Sequence, residues 1–179
     1  MLWLGTNLNL FCYATLLHLS HERIMMNTEY QPVNSLQVVA FIVKFCKANK
    51  IPLNVTKLQK LMYCCYGVVL AKTGLRLTDE HPEAWQYGPV FPDALKCVQF
   101  FDIEGFEDSN SSDIDNNPTI KELMEATIRH FGNYTALKLS RWSHLQGSPW
   151  FKASDGGVNL FTVLSDSDIK QYFSTKVLA

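Results

Sequence analysis

The chain reads as a mainly α protein, a compact helical domain of about five or six helices with a short β element near residues 83–90. Three observations predict this class. Apolar residues recur at helical spacing in several segments, most cleanly at Ile120, Leu123, Met124, Thr127, Ile128 and Phe131. Helix start and stop signals bracket those segments, such as Asn117-Pro118 before this run and Gly132 after it. Only Tyr87-Gly88-Pro89 and its neighbours demand extended backbone, because Pro89 disfavours α geometry at Gly88.

Taken in order, the first helix is predicted over 36–49 with Ser35 as N-cap. Leu36, Val38, Val39, Phe41, Ile42, Val43, Phe45 and Cys46 make it apolar almost all round, which marks a central, buried helix. Pro52 breaks the chain. Thr56 and Gln59 have the spacing of a capping box for a helix over 57–73, and Gly74 stops it. Its core stripe is Leu58, Leu61, Met62, Cys65 and Val69. The other stripe, Lys57, Lys60, Cys64, Gly67 and Ala71, carries small members that admit a close neighbour. After the extended box at 83–90 comes a helix over 92–101. Residues 102–117, acidic and rich in Ser and Asn, read as a mobile solvated loop. Helices over 118–131 and 135–146 follow, the second ending at Gly147. Ser148-Pro149-Trp150 reads as a break, and Ser165 with Asp168 caps a last short helix through Phe173.

The chain has 179 residues, 47% apolar and 18% charged, with a net charge of −1. That suits one folded domain and gives no global field for nucleic acid or membrane. Charge is nevertheless polarised along the sequence. Residues 31–78 hold no acid and carry Lys44, Lys47, Lys50, Lys57, Lys60, Lys72 and Arg76, whereas residues 79–125 hold twelve acids against Lys96 and Lys121. Either the two segments neutralise each other on packing, or they form opposed faces that orient partners. The five cysteines, Cys12, Cys46, Cys64, Cys65 and Cys97, form no disulfide framework and fit reduced thiols in a cytoplasmic protein.

Residues 1–24 are apolar but lack the basic start of a signal peptide, and Asn7, Asn9 and His18 interrupt a membrane span. They read as an N-terminal extension over 1–26, either an upstream stretch from a misassigned start or a real anchoring or interaction helix. The domain proper is then 27–179, with no membrane contact unless the first 24 residues anchor it.

Chemical constellations are sparse. No paired Cys or His has zinc-ligand spacing, so no metal is expected. Asp113 to Asn117 begins like a calcium loop, but Pro118 stands where Gly is needed and Met124 where Glu is needed. A Cys64/His144 hydrolase is the enzymatic alternative, although helical cysteines among apolar neighbours are usually inert. The connector between the first two helices is too long for a helix-turn-helix, and no direct nucleic-acid contact is expected. The lysine stripe then reads as a solvated face or as the complement of the acidic segment. Trp85, Tyr87 and Trp150 are either core walls or partner contacts. His144 reads as a satisfied structural hydrogen-bonder.

Lys57-Leu58-Gln59-Lys60-Leu61-Met62-Tyr63, the box from Glu83 to Val90, His144 followed by Pro149-Trp150, and Ile169 with Tyr172-Phe173 form an ordered set. Together they resemble the Panacea family, the SocA-like antitoxin and adaptor domain of bacteria and phages, over residues 35–175. Tyr66 and Val68, and the His81-Pro82 pair before the box, depart from the family pattern. The resemblance implies a mostly helical domain with a small β element and no catalysis or cofactor. It implies a toxin-neutralising antitoxin that binds a cognate toxin directly. The alternatives are an adaptor delivering the toxin to a cytoplasmic protease, or a phage-borne inhibitor of host defence. Candidate partner-binding residues are Lys57, Lys60, Glu83, Trp85, Tyr87 and Trp150. Gly88, Pro89, Val90, His144 and Pro149 are expected to shape the motif.

Overall fold

A computed structural model describes residues 30–179. The expectations for residues 1–24 lie outside the described residues. Pro32–Ala179 form one unit, mainly helical with a three-stranded antiparallel sheet.

Helix α1 spans Ser35–Ala48. Its cap is Asn34, whose side chain accepts from the Leu36 N–H at 2.9 Å, and Ser35 is the first helical residue instead. Val38 to Val43 and Cys46 are buried, as the continuous apolar run predicts. Helix α2 spans Val55–Thr73 and is the true centre of the fold, buried from Lys57 through Leu70 on every face. The capping-box reading is corrected here too. Asn54 caps the Lys57 N–H at 2.9 Å, while the Gln59 carbonyl reaches away to accept from the Phe91 N–H at 2.8 Å. Gly74 ends the helix with its N–H on Leu70 O.

The small stripe on α2 has a specific use. Any side chain at Gly67 would collide with the ring of Phe173, which lies on that spot. Phe173 also meets Tyr63 edge-on at 5.4 Å and Trp142 at 5.9 Å. An aromatic cluster thereby joins α2, the segment around Trp142 and the C-terminal segment. Such contacts add about 0.5–1.5 kcal/mol each beyond area burial.

Strands β1 (Glu83–Trp85) and β2 (Gly88–Val90) form a hairpin in the register Glu83↔Val90 and Trp85↔Gly88, with Gln86-Tyr87 at the tip. Strand β3 (Thr162–Val163) adds to the other side of β1, giving the order β2-β1-β3. Helix α3 (Pro92–Phe101) follows β2 directly.

Residues 102–117 are not the solvated loop their composition suggests. They hold a 3-10 turn at Glu104–Phe106 and helix α4 at Ser112–Asp115, with Phe106 and Ile114 buried. Lys47 pairs with Glu107, and Gln37 exchanges hydrogen bonds with Asp113 at 2.6 and 3.1 Å. Part of the acidic segment is therefore neutralised by α1, and two apolar anchors hold it there.

Helix α5 (Pro118–Phe131) starts at Asn117, which caps the Ile120 N–H, and ends at Gly132. Helix α6 (Ala136–Ser143) is shorter than its pattern suggests. The expected break at Ser148 is in fact a helix start: Ser148 Oγ caps the Phe151 N–H of α7 (Pro149–Ala153) at 3.1 Å. Helix α8 (Asp166–Tyr172) is preceded by Ser165, whose side chain makes no capping bond. Its first residue, Asp166, accepts from Tyr66 Oη and Arg76 Nε, both at 2.6 Å. No helix among the described residues is long and apolar enough to cross a membrane.

Candidate functional site: an aromatic surface on a braced hairpin

The β1–β2 hairpin presents two aromatics through the rules of strand geometry. Trp85 ends β1 and Tyr87 occupies the tip, where 68% of its surface is exposed. Trp85 is half-buried, and its indole N–H donates to Glu83 Oε2 at 2.9 Å. The ring of Phe161 meets Trp85 edge-on at 5.2 Å and is 63% exposed. Phe161 holds φ at +64°, a conformation rare for an aromatic residue, pinned by its N–H donating to Ala84 O at 2.7 Å. Val163 on β3, opposite Glu83, is exposed as well. Trp85, Phe161 and Val163 thus stand together on one small sheet, with Tyr87 exposed at the hairpin tip beside it.

The hairpin is held from beneath. Lys60, 2% exposed on α2, donates through Nζ to Pro89 O at 2.9 Å. Burial pulls its pKa down to about 7. Gly88 lies directly over this amine with φ +103°. A Cβ there would strike Ser143 Oγ and sit 2.7 Å from Lys60 Cε. The Gly-Pro pair therefore does two jobs: Gly permits the close approach and Pro sets the carbonyl that the lysine reads. Trp150 braces the hairpin from α7, its indole N–H donating to Trp85 O at 2.8 Å. Pro149, the first residue of α7, is buried beside it. The His144 ring lies 3.9 Å from that of Trp150.

Several residues expected at a partner surface are therefore internal. Lys57 is buried and donates to Pro52 O at 2.8 Å and Gly132 O at 2.7 Å. With Lys60 it corrects the picture of a solvated lysine stripe: both amines satisfy loop carbonyls inside the fold. Trp150 is a core wall. His144 is not the satisfied hydrogen-bonder expected, since its Nε2 is buried with no partner among the described residues. Burial and the nearby Lys60 lower its pKa and favour the neutral ring. The Cys64 thiol is fully buried, and burial pushes its pKa up, the reverse of what a nucleophile needs. Among the described residues, no group of three or more His, Cys, Asp or Glu could hold a metal ion.

A family model described as "Antitoxin SocA-like, Panacea domain" matches residues 58–151, a span running from the first turn of α2 through the hairpin to Phe151 in α7. The chain belongs to this SocA-like Panacea family. It is 29% identical over 144 residues to Antitoxin SocA of Caulobacter vibrioides (strain NA1000 / CB15N), covering 73% of this chain and 76% of that protein. No solved structure matches the chain significantly. The Lys57-Leu58-Gln59-Lys60 and Glu83-Ala84-Trp85 segments acquire a physical meaning here. Gln59 and Lys60 fasten the hairpin, whose strand β1 positions Trp85. Phe161 and Val163 lie outside the matched span and were missed in the sequence reading. The run Leu160-Phe161-Thr162-Val163-Leu164 after Gly156-Gly157 is the strand signal that marks them.

Proposed function

We propose that this chain is the antitoxin of a toxin–antitoxin pair. It acts in the cytoplasm, holding its cognate toxin inactive by stoichiometric binding and not by a reaction. Family membership supports the class of function. The observation that carries the mode of action is the exposed Tyr87, Phe161 and Val163 around the half-buried Trp85, on a small sheet whose hairpin is fixed from below. Rigid aromatics lose little entropy on binding, and contiguous exposed apolar groups mark interaction sites. Glu83 fixes the Trp85 ring, while Lys60 and Trp150 keep the hairpin from yielding under load. Lys57 acts at one remove, tying the start of α2 to the preceding loop at Pro52 and to the end of α5 at Gly132. An interface of ordinary size, roughly 1,200–2,000 Å² in total, would extend beyond these four side chains.

The test is co-expression with the product of the adjacent gene in a growth assay. The expected result is that the neighbour alone arrests growth and this chain restores it. Tyr87→Ser combined with Phe161→Ser is expected to abolish rescue without lowering the amount of folded protein. A neighbour that is harmless alone, or that remains toxic in the presence of this chain, overturns the proposal.

A further inference from the structure

The end of α3 carries a second exposed aromatic group that the hairpin does not use. Phe100 and Phe101 are 80% and 60% exposed, and their rings meet edge-on at 4.8 Å. Behind them Phe106 is buried 6.5 Å from Phe101, and Gly105 packs on Phe101 Cβ. The pair therefore stands on a fixed platform. The platform is acidic: Asp102 follows Phe101 as the helix C-cap, and Glu104 lies in the 3-10 turn packed against it. Asp102 and Glu104 take part in no ion pair among the described residues. Asp108 is exposed nearby in sequence. Between Lys96 and Lys121 the chain has no basic residue; Lys96 is occupied with Asp93 at 3.0 Å, and Lys47, which reaches this segment from α1 and also attracts Asp108, is held by Glu107.

This arrangement is unfavourable for the free protein in two respects. Large apolar rings face water, and a carboxylate caps the negative end of a helix that has no basic residue in its last turn. A basic partner relieves both. The geometry points to a second contact for the toxin: Phe100 and Phe101 enter an apolar recess whose rim carries Lys or Arg side chains, which pair with Asp102, Glu104 and Asp108. This inference rests on the antitoxin reading and adds to it the chemistry of the toxin's face. The acidic rim repels anionic lipid and nucleic acid. A second copy of this chain fits poorly, because a two-fold contact would set the same carboxylates against each other.

The test uses the full chain and the purified product of the adjacent gene, with affinity and association rate followed from low to high salt. Phe100→Ser with Phe101→Ser should weaken binding by about 30-fold or more, the scale of a lost interface anchor. Asp102→Asn, Glu104→Gln and Asp108→Asn together should slow association about tenfold at low salt and much less at high salt. All of these side chains are exposed, so both variants should melt with the parent protein. Unchanged binding by either variant overturns the inference, while retained binding by the parent leaves the antitoxin reading standing. A toxin that fails to bind the parent chain overturns both. Self-association that is lost in the phenylalanine variant, with toxin affinity unaltered, identifies a second copy as the occupant and also overturns it.

Discussion

Replacing Lys60 by methionine isolates the energetic consequence of an amine sealed beneath the hairpin. The substitution keeps most of the stem and removes the titrating group. Lys60 is 2% exposed, and burial brings its pKa from 10.5 to about 7 in the folded protein. Between these values the unfolded chain binds a proton at this site that the native chain does not, so stability rises with pH across that window. The gain begins near the folded value and is complete at the unfolded one. Groups whose pKa is raised, such as Cys64 and Tyr63, act in the opposite sense, but only as pH approaches their unfolded values near 9 and 10. The interval from pH 7 to 8.5 therefore belongs mainly to Lys60. With one group half-protonated at pH 7, linkage gives a gain of about 1.6 kcal/mol over that interval. Urea unfolding at four pH values across it should show this rise in the parent and a nearly flat profile in Lys60→Met. Equal slopes in the two proteins would mean that the amine titrates as it does in water, and would refute the buried-lysine account.

Gly88→Ala forces a Cβ into Ser143 and Lys60 at φ +103°, and should cost at least about 2 kcal/mol, read as a fall in Tm of several degrees. A variant as stable as the parent would show that the hairpin is not seated on the amine. Asp166→Ala removes the acceptor for the buried Tyr66 hydroxyl and for Arg76, at an expected cost of about 2–3 kcal/mol. Most of it should come from the Tyr66 end, because Arg76 is half-exposed. In a double-mutant cycle with Tyr66→Phe the coupling should be about 1 kcal/mol or more, whereas additive effects would contradict the pinning of α8 through this bond. Trp150→Phe keeps the core wall but leaves Trp85 O without its donor, and should cost about 1 kcal/mol in denaturant unfolding and weaken toxin binding. Unaltered stability would remove Trp150 from the bracing role.

The helices were legible because their signals are local. Apolar spacing and Asn117-Pro118 place α5, and Gly74 ends α2, with no knowledge of the rest of the chain. The N-caps at Asn34 and Asn54 were misread because Ser35 and the Thr56–Gln59 spacing offer equally good local chemistry, and only the path of the preceding loop decides. Lys57 and Lys60 were misjudged for a related reason. A lysine stripe looks solvent-facing until loop carbonyls from Pro52, Gly132 and Pro89 converge on it from distant sequence positions. Residues 102–117 have the composition of a loop, yet two anchors, Phe106 and Ile114, and complementary groups on α1 fasten them. Half of the apolar surface was visible in Trp85 and Tyr87. The other half, Phe161 and Val163, depends on a pairing of β3 with β1 across about 80 residues, which no local pattern reports.

Titrating a fixed amount of active toxin with the purified chain, with no protease present, tests the central claim most directly. The account predicts that toxin activity falls linearly and reaches zero at a fixed molar ratio, and that active toxin returns when the complex is denatured and the toxin refolded. Complete inactivation by a small fraction of an equivalent, progressing with time, would mean that this chain modifies its target and does not simply hold it, and would contradict the account.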